Sequence, residues 1–251
     1  MEKIGRNQKM TKGSLYCVST GPGDPELMTI KAIRTIGECQ AVALSVDGTR
    51  RDKESMEEND EEALKARCAA YRIAAPVTPD LDKKEFLYLS MPMTKDRDVL
   101  KQSHRQAAES IISCLESGKN VAWLTLGDVT VYGTSLYVVE AVRKAGFRAE
   151  IISGVPSFCA AAARLGRPLA MGGQQLHILP SSYHIEEALE YPGVKVLMKA
   201  GSRIGQVKEL LIEKGCRAEG VERCGMEGER TFKSLEEVDK EAGYYTILIV
   251  E

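Results

Sequence analysis

The residues best placed to do chemistry lie where apolar runs stop. The run Val121-Ala122-Trp123-Leu124-Thr125-Leu126 ends at Gly127-Asp128, followed by Val129, Thr130, Val131, Tyr132, Gly133 and Thr134. A glycine there lets another molecule approach the backbone, and an aspartate offers a fixed acceptor. In an open α/β sheet a ligand sits at the carboxyl ends of the strands. Leu126-Gly127-Asp128 therefore reads as a ligand-contacting turn, although Gly-Asp also serves ordinary strand-to-helix turns. A second run, Leu15 to Val18, stops at Gly21-Pro22-Gly23-Asp24-Pro25. A dinucleotide loop would need a third glycine at position 26, which is Glu, and Pro22 removes a backbone donor. A tight turn with Asp24 capping the next helix fits better. A third turn is Ser153-Gly154-Val155-Pro156-Ser157.

Other chemistries find no support. His104, His177 and His184 are far apart in sequence, so no metal site is expected. No Ser-His-Asp or Cys-His arrangement can be assembled. The seven cysteines, Cys17, Cys39, Cys68, Cys114, Cys159, Cys216 and Cys224, are scattered without a CxxC pair. That spacing suits reduced thiols and a cytoplasmic location rather than a disulfide framework or zinc site. The net charge of −2 excludes a general basic field for nucleic acid, so an anionic ligand would need local Arg and Lys. No signal peptide or membrane-spanning run is visible.

The elements that must position these turns alternate between two periods. Residues 14–20 and 41–46 are buried strands flanking a helix marked by Leu27, Ile30, Ile33 and Ile36, a βαβ unit that implies a parallel sheet. Further strands are expected at 85–90, 121–126, 150–152, 175–179, 194–198, 220–224 and 245–250. Helices are expected at 95–117, 135–145, 158–165 and 204–214. The last strand alternates enough to be partly exposed and antiparallel. Residues 1–13 read as a loose leader, and the charged stretch 49–67 as a solvated helix or insertion. With 251 residues and an apolar fraction of 43%, two α/β domains are allowed, 14–146 and 149–251.

Four segments occur in order: GPGDPELMTIKAIRTI, Pro92-Met93-Thr94 with its charged continuation to Asp98, LTLGDVTVYGT, and SGVPSFCAAAARLGRPL. Together they resemble the tetrapyrrole methylase family over nearly the whole chain outside the leader. The Pro-Met-Thr run, Tyr132-Gly133-Thr134 and Ser157-Phe158 are most similar to its C20-methyltransferases, which act on precorrin-2 or cobalt-factor II in cobalamin synthesis. One departure is Val129, where the family usually has Pro. The resemblance implies two α/β domains with S-adenosylmethionine in the cleft between them, not a Rossmann-like methyltransferase, and a homodimer. It implies cofactor contacts at Pro22, Leu126, Gly127, Asp128, Val131, Tyr132, Ser157 and Phe158, and further ones at Lys199, Cys224 and Thr246. Asp128 and Tyr132 are the candidates for proton transfer. For the carboxylates of a tetrapyrrole substrate, the candidate partners are Lys95, Arg97, Arg164 and Arg167. The alternatives are another tetrapyrrole C-methylation, such as that of uroporphyrinogen III toward sirohaem, and a non-catalytic nucleotide-binding module.

Overall fold

The computed structural model describes residues 12–46, 61–181, 185–240 and 242–251. Most of the expected leader, residues 49–60 of the charged stretch, and His184 lie outside them. Residues 61–67 of that stretch form a helix.

The first unit takes in the chain up to Gly21 and from Pro25 to Gly154. Its strands are β1 (Ser14–Ser19), β2 (Ala41–Val46), β3 (Glu85–Ser90), β4 (Val121–Thr125) and β5 (Arg148–Ile152). They form one sheet in the order β3-β2-β4-β1-β5. Every pairing in it is parallel. Strands covered on both faces read as unbroken apolar runs. This explains Val121 to Leu124, whose four side chains are all buried. Trp123 is 1% exposed, and its indole N–H donates to Ser45 Oγ at 3.1 Å. A buried indole thus keeps a partner for its polar atom.

The first unit's helices are α1 (Ile30–Glu38), α2 (Glu61–Arg67), α3 (Ala69–Ala74), α4 (Arg97–Glu116) and α5 (Ser135–Lys144). The cap of α1 is Thr29, not Asp24: Thr29 Oγ1 accepts from the Ala32 N–H at 3.1 Å. Pro25–Leu27 form a separate tight turn first, which delays the helix. Asp96 caps α4 through Asp98 and Val99 N–H groups at 2.9 and 3.2 Å. The domain boundary expected at 146–148 falls later, after Gly154, because β5 pairs with β1 instead of opening the second sheet.

The second unit comprises Pro22–Asp24 and Val155–Glu251. Its strands are β6 (Leu176–Pro180), β7 (Val194–Met198), β8 (Ala218–Glu222), β9 (Arg230–Phe232) and β10 (Thr246–Val250), in the order β6-β7-β10-β8-β9. β6 and β7 are parallel, and the other pairings are antiparallel. β10 is antiparallel as expected, but it is the middle strand and all five of its residues are buried. The alternation read from its sequence does not mark an exposed face. Its helices are α6 (Ser157–Leu165), α7 (Glu186–Leu189) and α8 (Ile204–Glu213), with α6 on β8 and β10. Ile204, Val207 and Leu211 of α8 join Leu197, Leu248 and Val250 in this unit's core.

Candidate functional site

In the first unit, two strand ends converge. Just beyond β1 and β4, Gly21 and Gly127 exchange backbone hydrogen bonds of 2.7 and 3.2 Å, an antiparallel bridge beyond two parallel strands. Gly127 takes φ +73°, and the direction a Cβ would occupy there has no heavy atom within 4 Å. The left-handed backbone explains the glycine, and the open space beside it leaves room for another molecule.

Asp128 follows and is 6% exposed. One carboxylate oxygen accepts from the Thr130 N–H at 2.7 Å and from its hydroxyl. The other accepts from Ser153 Oγ at 2.7 Å and the Gly154 N–H at 2.8 Å. Burial alone would push this carboxyl up, but the four donors outweigh it and hold it below its ordinary value. A carboxylate has about four lone-pair sites, and all are taken. The Asp128 side chain expected to contact a ligand or transfer a proton is thus already engaged within the unit. It is a pin joining the β4 turn to the β5 turn.

Val129 is fully buried, and its N–H donates to Ser19 Oγ at 3.0 Å. Proline has no N–H to give, so the departure at Val129 adds a tether. Leu126 and Val131 are half-buried. Tyr132 is exposed at φ +54°, and partial burial raises its phenol, which disfavours it as a base at neutral pH. Lys95 and Arg97 stand exposed around the start of α4, with no ion-pair partner among the described residues.

In the second unit, the short Pro22–Asp24 segment packs on the turn after β8. A Cβ on Gly23 would stand 2.2 Å from the Cys224 carbonyl oxygen, and one on Gly225 would stand 2.5 Å from the Asp24 nitrogen. Pro22 is buried there. Cys224 is 8% exposed; burial pushes its thiol up, and Glu229 adds to this against the opposing Arg164. Ser157 is half-buried at the start of α6, while Phe158 is buried. Thr246 is 2% exposed and its hydroxyl donates to the Gly243 carbonyl at 2.9 Å, so that donor is already used within the unit. Lys199 follows β7 at φ +60°, half-buried, and burial lowers its ammonium.

Two of the four expected substrate cations are engaged inside this unit. Arg164 pairs with Glu229 at 2.9 Å, and Arg167 pairs with Glu219 at 3.0 Å and with Glu251. Their carboxylate partners are the chain's own, which leaves Lys95 and Arg97 as the cations of that set without such partners. Sequence reasoning missed Ser19, Thr130, Ser153 and Gly154, the groups that hold the β4 turn. A hydroxyl closing an otherwise apolar strand, as Ser19 does, was the available signal. Among the described residues no group of three or more His, Cys, Asp or Glu could hold a metal ion, and no helix is long and apolar enough to cross a membrane.

The sequence pattern of the tetrapyrrole (corrin/porphyrin) methylases matches residues 14–239. A relative named precorrin-2 C(20)-methyltransferase, from a Sinorhizobium species, is 28% identical over 245 residues, 95% of each chain. Another, named probable cobalt-precorrin-2 C(20)-methyltransferase, from Methanocaldococcus jannaschii, is 31% identical over 185 residues, 74% of this chain and 71% of its own. Among solved structures, the uroporphyrin-III C-methyltransferase of Thermus thermophilus complexed with S-adenosylhomocysteine aligns with a TM-score of 0.66 at 22% identity, over 95% of this chain and 97% of that one. The two-sheet architecture is that of this fold, and the match spans most of the sequence: the chain belongs to the tetrapyrrole (corrin/porphyrin) methylases.

Proposed function

We propose that this methylase transfers a methyl group from S-adenosylmethionine to C20 of precorrin-2 or of its cobalt complex, cobalt-factor II, in cobalamin synthesis. The observation that carries the reading is the β4 turn. Gly127 lies buried just past the end of β4 with no heavy atom within 4 Å of its Cβ direction, and it is braced by the Asp128 pin and the Ser19–Val129 tether. The names of the Sinorhizobium and Methanocaldococcus relatives support the C20 assignment.

Placing the cofactor at that turn is supported by a left-handed glycine with no heavy atom within 4 Å of its Cβ direction. Bound there, S-adenosylmethionine supplies an electrophilic methyl on a sulfonium. We assign the contacts to Pro22, Leu126, Gly127, Val131, Tyr132, Ser157, Phe158, Lys199 and Cys224, with Thr246 contributing its backbone and methyl. The chain's task is alignment of the methyl with the attacking ring carbon, worth about 7–11 kcal/mol of barrier. Asp128 serves by fixing the turn. Neither Asp128 nor Tyr132 is suited to accept the proton lost from the ring, since one is saturated with donors and the other is a phenol raised by burial.

The direct test is incubation with S-adenosylmethionine and each form of the dimethylated macrocycle, with mass spectrometry and NMR locating the new methyl. A methyl on C20 is the expected product. Methylation of uroporphyrinogen III instead would move the protein to another branch of the family. Binding of NAD or ATP without S-adenosylhomocysteine would point to a nucleotide module. A second expectation concerns Arg97 at the start of α4. Arg97→Ala should raise the dissociation constant for the macrocycle about tenfold, as loss of one charge-assisted hydrogen bond implies. S-adenosylhomocysteine binding should be unchanged. Calorimetry with both ligands checks it, and unchanged macrocycle affinity removes Arg97 from the substrate site.

A further inference from the structure

The turn that follows β8 is held in an unusual backbone. Between residues 223 and 228, Arg223, Gly225 and Gly228 take left-handed φ of +53°, +73° and +76°. Such backbone is costly for a residue with a Cβ, as at Arg223, and persists where the surroundings impose it. Three backbone hydrogen bonds impose it here. The Arg223 N–H donates to the Tyr245 carbonyl at 3.2 Å, the Met226 N–H to that of Arg223 at 2.8 Å, and the Glu229 N–H to that of Met226 at 3.2 Å. The Gly225 N–H has a different partner. It donates to one oxygen of the Glu229 carboxylate at 2.6 Å, so the end of the turn fixes its middle.

The other oxygen of that carboxylate accepts from Arg164 Nε at 2.9 Å. Arg164 lies in the last turn of α6, about two turns beyond Ser157 and on the same helix face. Its guanidinium also reaches the Cys224 thiol. One carboxylate therefore links α6, whose first turn carries Ser157 and Phe158, to the turn that carries Cys224. The same turn seats Pro22–Asp24: a Cβ on Gly23 would strike the Cys224 carbonyl oxygen, and one on Gly225 the Asp24 nitrogen. Three stretches far apart in the chain are thus held in register within one unit. The Arg164 side chain is half exposed, and an ion pair in that setting adds little to stability. What the link supplies is orientation.

We propose that Glu229 is a positioning residue of the methylase: by bridging the Gly225 N–H and Arg164, its carboxylate holds Pro22, Ser157, Phe158 and Cys224 in the arrangement that binds S-adenosylmethionine. This rests on the methylase reading above and adds to it a residue that acts through the contacts. Without the carboxylate, the Gly225 N–H and the Arg164 guanidinium both lose a charge-assisted hydrogen bond, and α6 is no longer tied to the turn after β8 by this link.

The test uses the full chain with Glu229→Ala and Glu229→Gln. Glutamine keeps an acceptor for the Gly225 N–H but offers Arg164 no charge. Calorimetry measures S-adenosylhomocysteine well below the melting temperature of each variant, and steady-state methyl transfer gives KM for S-adenosylmethionine and kcat. Glu229→Ala should bind S-adenosylhomocysteine about tenfold more weakly, and Glu229→Gln about threefold. KM should rise in step while kcat stays within about twofold, the pattern of lost binding rather than lost chemistry. A folded Glu229→Ala with wild-type affinity reduces Glu229 to a structural residue, which overturns the inference and leaves the methylase reading standing. A fall in kcat at unchanged KM overturns it too. Should Glu229→Ala fail to fold, Glu229→Gln decides, and unchanged affinity there has the same meaning. A wild type that binds no S-adenosylhomocysteine overturns the methylase reading and this inference with it.

Discussion

Replacing Asp128 with alanine is expected to destabilise the first unit by about 2–3 kcal/mol, since it deprives four partly buried donors of the one carboxylate they share. The loss should depend on pH in a definite direction. The folded carboxyl titrates below its ordinary value, so its contribution is complete above the ordinary carboxylate range. It disappears as the pH falls through the lower, folded value. Urea melts of wild type and Asp128→Ala should therefore differ most near pH 7 and converge in strong acid. A gap that stays constant down to pH 2 would mean the carboxylate is not the source. S-adenosylhomocysteine affinity should fall as well, because the turn that carries Gly127 loosens. A variant that melts earlier yet binds the cofactor product normally would separate the pin from the binding site.

The second large effect is expected at Gly225, where alanine faces two costs at once. The residue sits at φ +73°, and its Cβ would stand 2.5 Å from the Asp24 nitrogen, a backbone atom that cannot swing aside. Strain and overpacking together should cost about 3 kcal/mol. Gly215 is the control: φ +67° but nothing within 4 Å of its Cβ, so Gly215→Ala should cost only about 1 kcal/mol. If the two variants melt alike, the Pro22–Asp24 segment is not tightly seated. If Gly225→Ala is much the weaker, its S-adenosylhomocysteine affinity should also drop, because Pro22 moves with Asp24.

Much of this architecture was legible from apolar runs. Val121 to Leu124 reads as a buried strand because nothing polar interrupts it, and it is; Val194 to Met198 is buried throughout as well, although Lys195 interrupts its apolar run. Gly118 and Gly146 mark the ends of α4 and α5 with φ of +83° and +84°. Partnership in space was not legible. β5 looked like the start of a second domain because it follows a glycine and precedes a turn, yet its neighbour is β1, more than a hundred residues away in the chain. Asp24 looked like a helix cap because the tight turn at Pro25–Leu27 carries no signal that the helix starts later. At the site, sequence reasoning singled out the β4 turn but not the groups that engage the Asp128 side chain. An aspartate beside a glycine reads as a ligand's acceptor until Ser153 and Gly154 are seen to occupy it. Arg164 and Arg167 went the same way, because Glu229, Glu219 and Glu251 are remote in sequence.

The wide separation of these partners has a consequence for biosynthesis. On the ribosome, β1 emerges early but cannot pair until β4 is made, about a hundred residues later. The Pro22–Asp24 segment waits longer, because its seat around Cys224 and Gly225 is made some two hundred residues after it. At about 5–20 residues per second, that is a delay on the order of 10–40 s. During it a sticky apolar strand and an unseated loop are carried by a growing chain, the interval in which a nascent methylase most needs a chaperone's shelter.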